Sequence, residues 1–253
     1  MLSDIFTFNI FHFGLIFARM SGALFVMPGV SAQFVSTRIR LLLALMLAFV
    51  LVPIVSANFP PFPIHPLELM ILIGGEILVG FFFGMLMAIM LSAMQVLGTI
   101  VAFVSSLSNA FSFDAVSQSQ GSIISTFFVN LALVVLFVTD MHHLMLTAIV
   151  DSYSLFEPGK MPPIGDFTQF VARTVADAFK IGVQLAAPFL LLSFGFQLAM
   201  GLISRLNPQF QIYFVAMPAQ IMFSVLMLMF TVSGIMMVFL TYYQKGLIRF
   251  LEP

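Results

Sequence analysis

The sequence predicts an all-α, membrane-inserted protein, and three observations carry that prediction. Of its 253 residues 61% are hydrophobic and only 8% are charged, with a mean hydropathy of +1.15; so little polar material does not cover a soluble globule of this size. Nearly every segment longer than ~18 residues is apolar enough to cross a bilayer as a helix. Prolines collect between these segments, at residues 58–63 and 157–163, where fixed φ angles and missing donors end helices.

The first apolar stretch, residues 5–30, carries His12 and Arg19 and closes at Pro28 and Gly29. A short polar link with Gln33, Arg38 and Arg40 precedes a clean apolar run over 41–57, and the two runs read as a helical hairpin. From 67 to 104 the chain stays apolar, with Glu68, Glu76, Ser92, Gln95 and Thr99 as interruptions. As one helix this stretch measures ~57 Å, well beyond a ~30 Å bilayer core, so it tilts, breaks or protrudes. Gly80, Gly84, Ala88 and Ser92 recur every fourth residue, which aligns small side chains into a helix-packing face.

Residues 105–122, SSLSNAFSFDAVSQSQGS, form a polar island with seven serines and two glutamines between two very apolar segments. After it come an apolar run at 123–138, then Asp140, His142 and His143, then 144–150. Residues 170–202 are again apolar apart from Arg173, Asp177, Lys180, Gln184 and Gln197, and Arg205, Pro208 and Gln209 close that stretch. The last run, 210–240, leads into a tail whose Tyr242 and Tyr243 beside Lys245 and Arg249 read as an interfacial anchor. Positive charge does not alternate cleanly between the links, so it fixes no orientation.

Net charge is −1 and cysteine is absent, which removes a basic nucleic-acid footprint, disulfides and thiolate chemistry together. The N-terminus lacks a basic region, and Arg19 interrupts its apolar run, so a cleaved signal peptide is not expected. Charges in apolar helices are costly, and Arg19, Glu76, Asp177 and Lys180 each need a partner or a wet cavity. A proton relay and a structural ion pair both answer that need, and the ion pair is the preferred reading. Asp140, His142 and His143 carry metal-ligand chemistry, but adjacent histidines diverge on a helix, and a polar cap at a helix end is preferred to a metal. With no Gly-x-Ser-x-Gly elbow, P-loop or dinucleotide turn in the sequence, neither an enzyme nor a cofactor is expected.

Several motifs together resemble the FliR family, the flagellar member of the type III export gate. They are Ala18-Arg19-Met20-Ser21-Gly22 with Pro28, Arg38, Arg40 and Pro53; Glu76 with Gly80 and Gly84, then Gln95, Gly98 and residues 109–114; Asp140-Met141-His142 with Ser152, Tyr153 and Pro158; and residues 201–209, continuing to Phe214 and Pro218. The match runs in order along nearly the whole chain. Family members often carry proline where this chain has Ala115, and asparagine where it has Gln211.

The resemblance implies one all-helical subunit, residues 1–253, whose hairpins pack with about five FliP and about four FliQ subunits into a conical core, joined by FlhB and FlhA, in the bacterial inner membrane at the flagellar basal body. It makes 105–122 a central plug loop that includes Phe111, Phe113, Asp114, Gln118 and Gln120, with the two phenylalanines filling the lumen and the Ser, Gln and Asn side chains meeting passing chains. Arg19, Glu76, Arg205, Pro208 and Gln209 hold helices or subunits in register. The expected function is to form and plug the pore through which unfolded flagellar proteins cross. A virulence-system counterpart, a secondary transporter and a pore-free membrane scaffold are the alternatives; a transporter predicts inverted repeats, and the two halves show no convincing symmetry.

Overall fold

The computed structural model describes residues 2–31, 35–55, 59–63, 65–106, 123–159, 164–206 and 212–251. Among them the regular structure is all helix, with seven helices: α1 Leu2–Val26, α2 Thr37–Val55, α3 Pro66–Val104, α4 Ile123–Val138, α5 Met141–Leu155, α6 Ile164–Leu206 and α7 Ile212–Leu251. Four of these, α2, α3, α6 and α7, hold segments long and apolar enough to cross a membrane. Counting α4 and α5 as one broken span gives a fifth.

Local chemistry sets several helix ends. Ser36 caps α2, its hydroxyl accepting the Ile39 N–H at 3.5 Å, as an N-cap side chain does for the third helical amide. Arg38 and Arg40 therefore lie in the first turn of α2, not in the link where the sequence reading put them. Pro66 opens α3 at the position where its missing N–H costs nothing, and the His65 carbonyl accepts from Glu68 and Leu69. Gly29, at φ 82°, takes the left-handed turn that follows α1. Pro188 and Pro218 lie inside α6 and α7 without ending either. Helix α3 is continuous over 39 residues, so it does not break.

The chain divides into two compact units. The first comprises Met1–Met90, Thr139–Val175 and Gln244–Pro253. Here α1 packs on α2, which turns Ala44, Ala48 and Leu51 inward at helical spacing. Leu15, Ile16 and Leu24 of α1, Phe83 and Leu86 of α3, and Met145 and Ile149 of α5 are buried with them. An aromatic cluster lies in the same unit, with Phe82 stacked on Phe167 at 3.9 Å and Phe156 edge-on to Phe167 at 5.2 Å.

The second unit comprises Leu91–Val138 and Ala176–Tyr243. Its core takes Met94, Leu97 and Val101 from α3, Phe128, Ala132 and Leu136 from α4, Phe189 from α6, and Ile235 and Phe239 from α7. Helices α3 and α4 touch backbone to backbone: a Cβ on Gly98 would collide with Ser125 Cα. Ser125 Oγ donates to the Gln95 carbonyl at 3.2 Å. Gln220 Nε2 donates to the Val104 carbonyl at 2.6 Å, satisfying one of the open acceptors at the end of α3. Tyr243 is fully buried against Phe239, which corrects its reading as an interfacial anchor. Because α7 runs on as helix to Leu251, Tyr243 falls on the inward face one turn after Phe239 and one before buried Leu247.

Candidate functional site

Arg19 is among the largest fully buried side chains, 1% exposed, and Glu76 is 3% exposed. The two come from helices 57 residues apart in sequence, and Arg19 Nε donates to Glu76 Oε2 at 2.6 Å. Arg19 Nη1 donates to Ser152 Oγ at 3.1 Å, and Nη2 to the Phe156 carbonyl at 3.0 Å. The guanidinium lies over the Tyr153 ring, 3.8 Å from its centroid. The Ser152 hydroxyl donates a hydrogen bond to the Ile149 carbonyl at 2.6 Å, which leaves its oxygen free to accept from Arg19. One cation thus ties α1 to α3 and to the end of α5.

Each partner offsets part of the cost of burying that charge. The carboxylate supplies an opposite charge and a charge-assisted hydrogen bond, and the Gly159 backbone lies against the same carboxylate. The Phe156 carbonyl caps the C-terminal end of α5, where exposed carbonyls make the helix end negative and favour a cation. Phe59 packs on Tyr153 at 5.8 Å and on His12 at 5.1 Å, which extends the aromatic surroundings beyond Tyr153.

Glycines let the helices approach closely enough for this contact. Gly80, one turn beyond Glu76, sits directly on the Arg19 carbonyl, where a Cβ would collide. A Cβ on Gly22 would stand 2.5 Å from the Ile77 carbonyl, and one on Gly84 would stand 2.5 Å from the Ala23 carbonyl. Gly80 and Gly84 of the small-residue row therefore meet α1, while Ala88 and Ser92 are half-buried. The sequence marks Ser152 and Tyr153 only as parts of a family motif, without a role, and does not mark the Phe156 carbonyl. A serine and a tyrosine at a helix end carry no spacing signal that links them to an arginine on another helix.

The remaining predicted residues fall elsewhere. Asp177 and Lys180 are exposed on this chain, so the burial expected of them is not found within it. Arg205 is exposed in the last turn of α6, and Pro208 and Gln209 lie outside the described residues. Ser105 is buried and Ser106 turns left-handed at φ 61° at the end of α3. Phe111, Phe113, Asp114, Gln118 and Gln120 lie outside the described residues.

Asp140 occupies the N-cap position of α5, as a helix-end reading expects, but with φ 58° and no side-chain cap hydrogen bond. Its carboxylate turns to His143, with Oδ1 3.5 Å from Nδ1. The preferred reading as a polar cap is corrected to that extent: left-handed backbone at Asp140 aims the side chain along the first turn and not at its amides.

The profile of a family described as bacterial export proteins, family 1, matches residues 10–246. The flagellar biosynthetic protein FliR of Caulobacter vibrioides is 34% identical over 238 residues, which cover 94% of this chain and 95% of that protein. The protein of the same name from Bacillus subtilis is 31% identical over 67% of this chain and 66% of its own. That of Escherichia coli is 29% identical over 76% and 72%.

Proposed function

The chain belongs to the FliR family of bacterial export proteins, family 1, and from that membership we propose its mode of action. It is a subunit of the flagellar type III protein export gate in the bacterial inner membrane. The observation that carries this is the 34% identity to a flagellar relative over nearly the full length of both chains, together with four to five helices able to cross a membrane.

The finer reading is that this subunit joins FliP and FliQ copies, about five and about four, in a conical core served by FlhB and FlhA. It works by shaping and closing a conduit, not by bond chemistry. Support comes from the apolar surface the chain leaves open. Only 17% of the apolar window of α2 and of α6, and 22% of that of α7, is buried, against 61% for α3. The apolar window of α3 is thus the most buried of the four, and α2, α6 and α7 have the larger faces to give to lipid and to neighbouring subunits.

In this reading residues 105–122 form the plug. Phe111 and Phe113 exclude water and ions, and the Ser, Gln and Asn side chains meet passing chains without holding them, since a conduit must release its cargo. The buried Arg19–Glu76 pair keeps the supporting helices in register. Arg205, Pro208 and Gln209 do the same.

Deleting residues 111–118 tests the plug. The assembled complex is expected to form and to leak small ions across the membrane, as read by a potential-sensitive dye, with export altered. An assembled complex that leaks no more than the parent sinks the plug assignment. Unchanged export as well as unchanged leakage would favour a scaffold without pore contact.

A further inference from the structure

We propose that Asp140, His142 and His143 form a binding site for a divalent transition-metal ion of the zinc class at the start of α5. Each offers one ligand atom, and the three atoms lie within 4.8 Å of one another. Two ligands ~2.1 Å from a tetrahedral zinc ion stand ~3.4 Å apart; His143 Nδ1 and Asp140 Oδ1 are separated by 3.5 Å. That edge of the coordination shell is already in place. The adjacent rings do not diverge as helical spacing alone would have them. The His142 and His143 centroids are 4.1 Å apart with the planes tilted by 39°, and from ligand atoms within 4.8 Å of one another His142 needs a shift of at most about 1.4 Å to reach that ligand spacing.

A second observation concerns the backbone. Asp140 is one of two non-glycine residues at positive φ among the described residues. Aspartate at an N-cap ordinarily spends its carboxylate on the helix amides, and here it makes no such bond. The left-handed turn instead sets the carboxylate beside an imidazole. The side chains of Asp140 and His143 are 78% and 70% exposed, so an ion enters without disturbing the core.

The donor set names the class of ion. Two imidazoles and one carboxylate suit zinc, copper or nickel better than magnesium or calcium, which prefer all-oxygen shells. Three protein donors leave a position for water or for a group from another chain. A bound ion would tie the left-handed residue to the first turn of α5, taking over the role of the missing cap bond. The site uses no residue of the Arg19–Glu76 network and stands whether or not the plug reading does.

The test uses the full-length chain in its membrane complex, carrying a tag without histidine, stripped with EDTA and titrated with Zn2+ against a chromophoric competitor. Saturable binding of about one Zn2+ per chain is expected. His142→Gln, His143→Gln and Asp140→Asn should each weaken it about tenfold or more, and Asn suits the left-handed turn, so the backbone is preserved. His65→Gln, which changes an exposed histidine at the start of α3, should bind like the parent. Matching circular dichroism and elution volume confirm that the variants are folded. Absence of saturable binding in the parent overturns the proposal, as does binding that survives the His142→Gln, His143→Gln double change.

Discussion

At the scale of single residues, the Arg19–Glu76 pair shows why buried charge has to be judged by its partners. Nε, Nη1 and Nη2 of Arg19 are each engaged, by Glu76, Ser152 and the Phe156 carbonyl. Removing one partner strands a charge in the core, while removing both leaves only a packing problem. Glu76→Ala is therefore expected to destabilise the folded chain by ~3–5 kcal/mol, and thermal unfolding of the purified complex checks it. The combined change Arg19→Met with Glu76→Leu should recover most of that loss, and a double variant no more stable than Glu76→Ala would show that the charges act otherwise. Arg19→Lys is not a conservative substitute, because an ammonium cannot present the fork that reaches three partners on two other segments.

At the scale of elements, α3 is organised by what it lacks. Gly80 and Gly84 remove the side chains that would hold α1 away, and Gly98 does the same towards α4 within the second unit. Gly80→Ala places a methyl group on the Arg19 carbonyl, so α1 must move, at a cost of ~1–3 kcal/mol for overpacking. Gly74→Ala in the same helix meets nothing within 4 Å and should be neutral or stabilising by ~0.5–1 kcal/mol, since glycine is a poor helix former. Comparing the two melting temperatures separates close packing from helix propensity. Equal effects would remove the packing role of Gly80. The same close approach carries Arg19 and Glu76 to each other, so Gly80→Ala should also weaken the ion pair.

At the scale of the whole molecule, the exposed surface is the dominant fact. Phe49, Met70, Leu191, Phe230 and Met237 are among many large apolar side chains left open on this chain, on helices long enough to cross a bilayer. Exposed apolar patches of that extent mark surfaces meant for lipid or for other subunits. An alkaline carbonate wash of membranes should therefore leave the chain in the pellet, and release into the supernatant would contradict its insertion. The same surface explains why charge placement along the links gives no orientation: subunit-facing and lipid-facing helices are equally apolar, and the positive-inside rule applies only to helices that span.

The sequence by itself determined the helical class, the membrane setting and the family, and it named four charges in need of a partner, Arg19, Glu76, Asp177 and Lys180, without deciding which of them are buried. Those follow from composition, from apolar length and from residue order, all of which are local properties of the chain. It also marked Gly80 and Gly84, because their four-residue period is itself a helical signal. Only the tertiary structure decided that Arg19 pairs with Glu76, that Ser152 and Tyr153 complete the site, and that Tyr243 is core and not anchor. Each of those depends on which faces of distant helices meet. Asp140 shows the same limit at short range: residue type predicted a cap, and one left-handed φ angle turned the carboxylate to a histidine instead. Partner choice is set by backbone approach and direction, and neither is encoded in the type of a residue or its spacing.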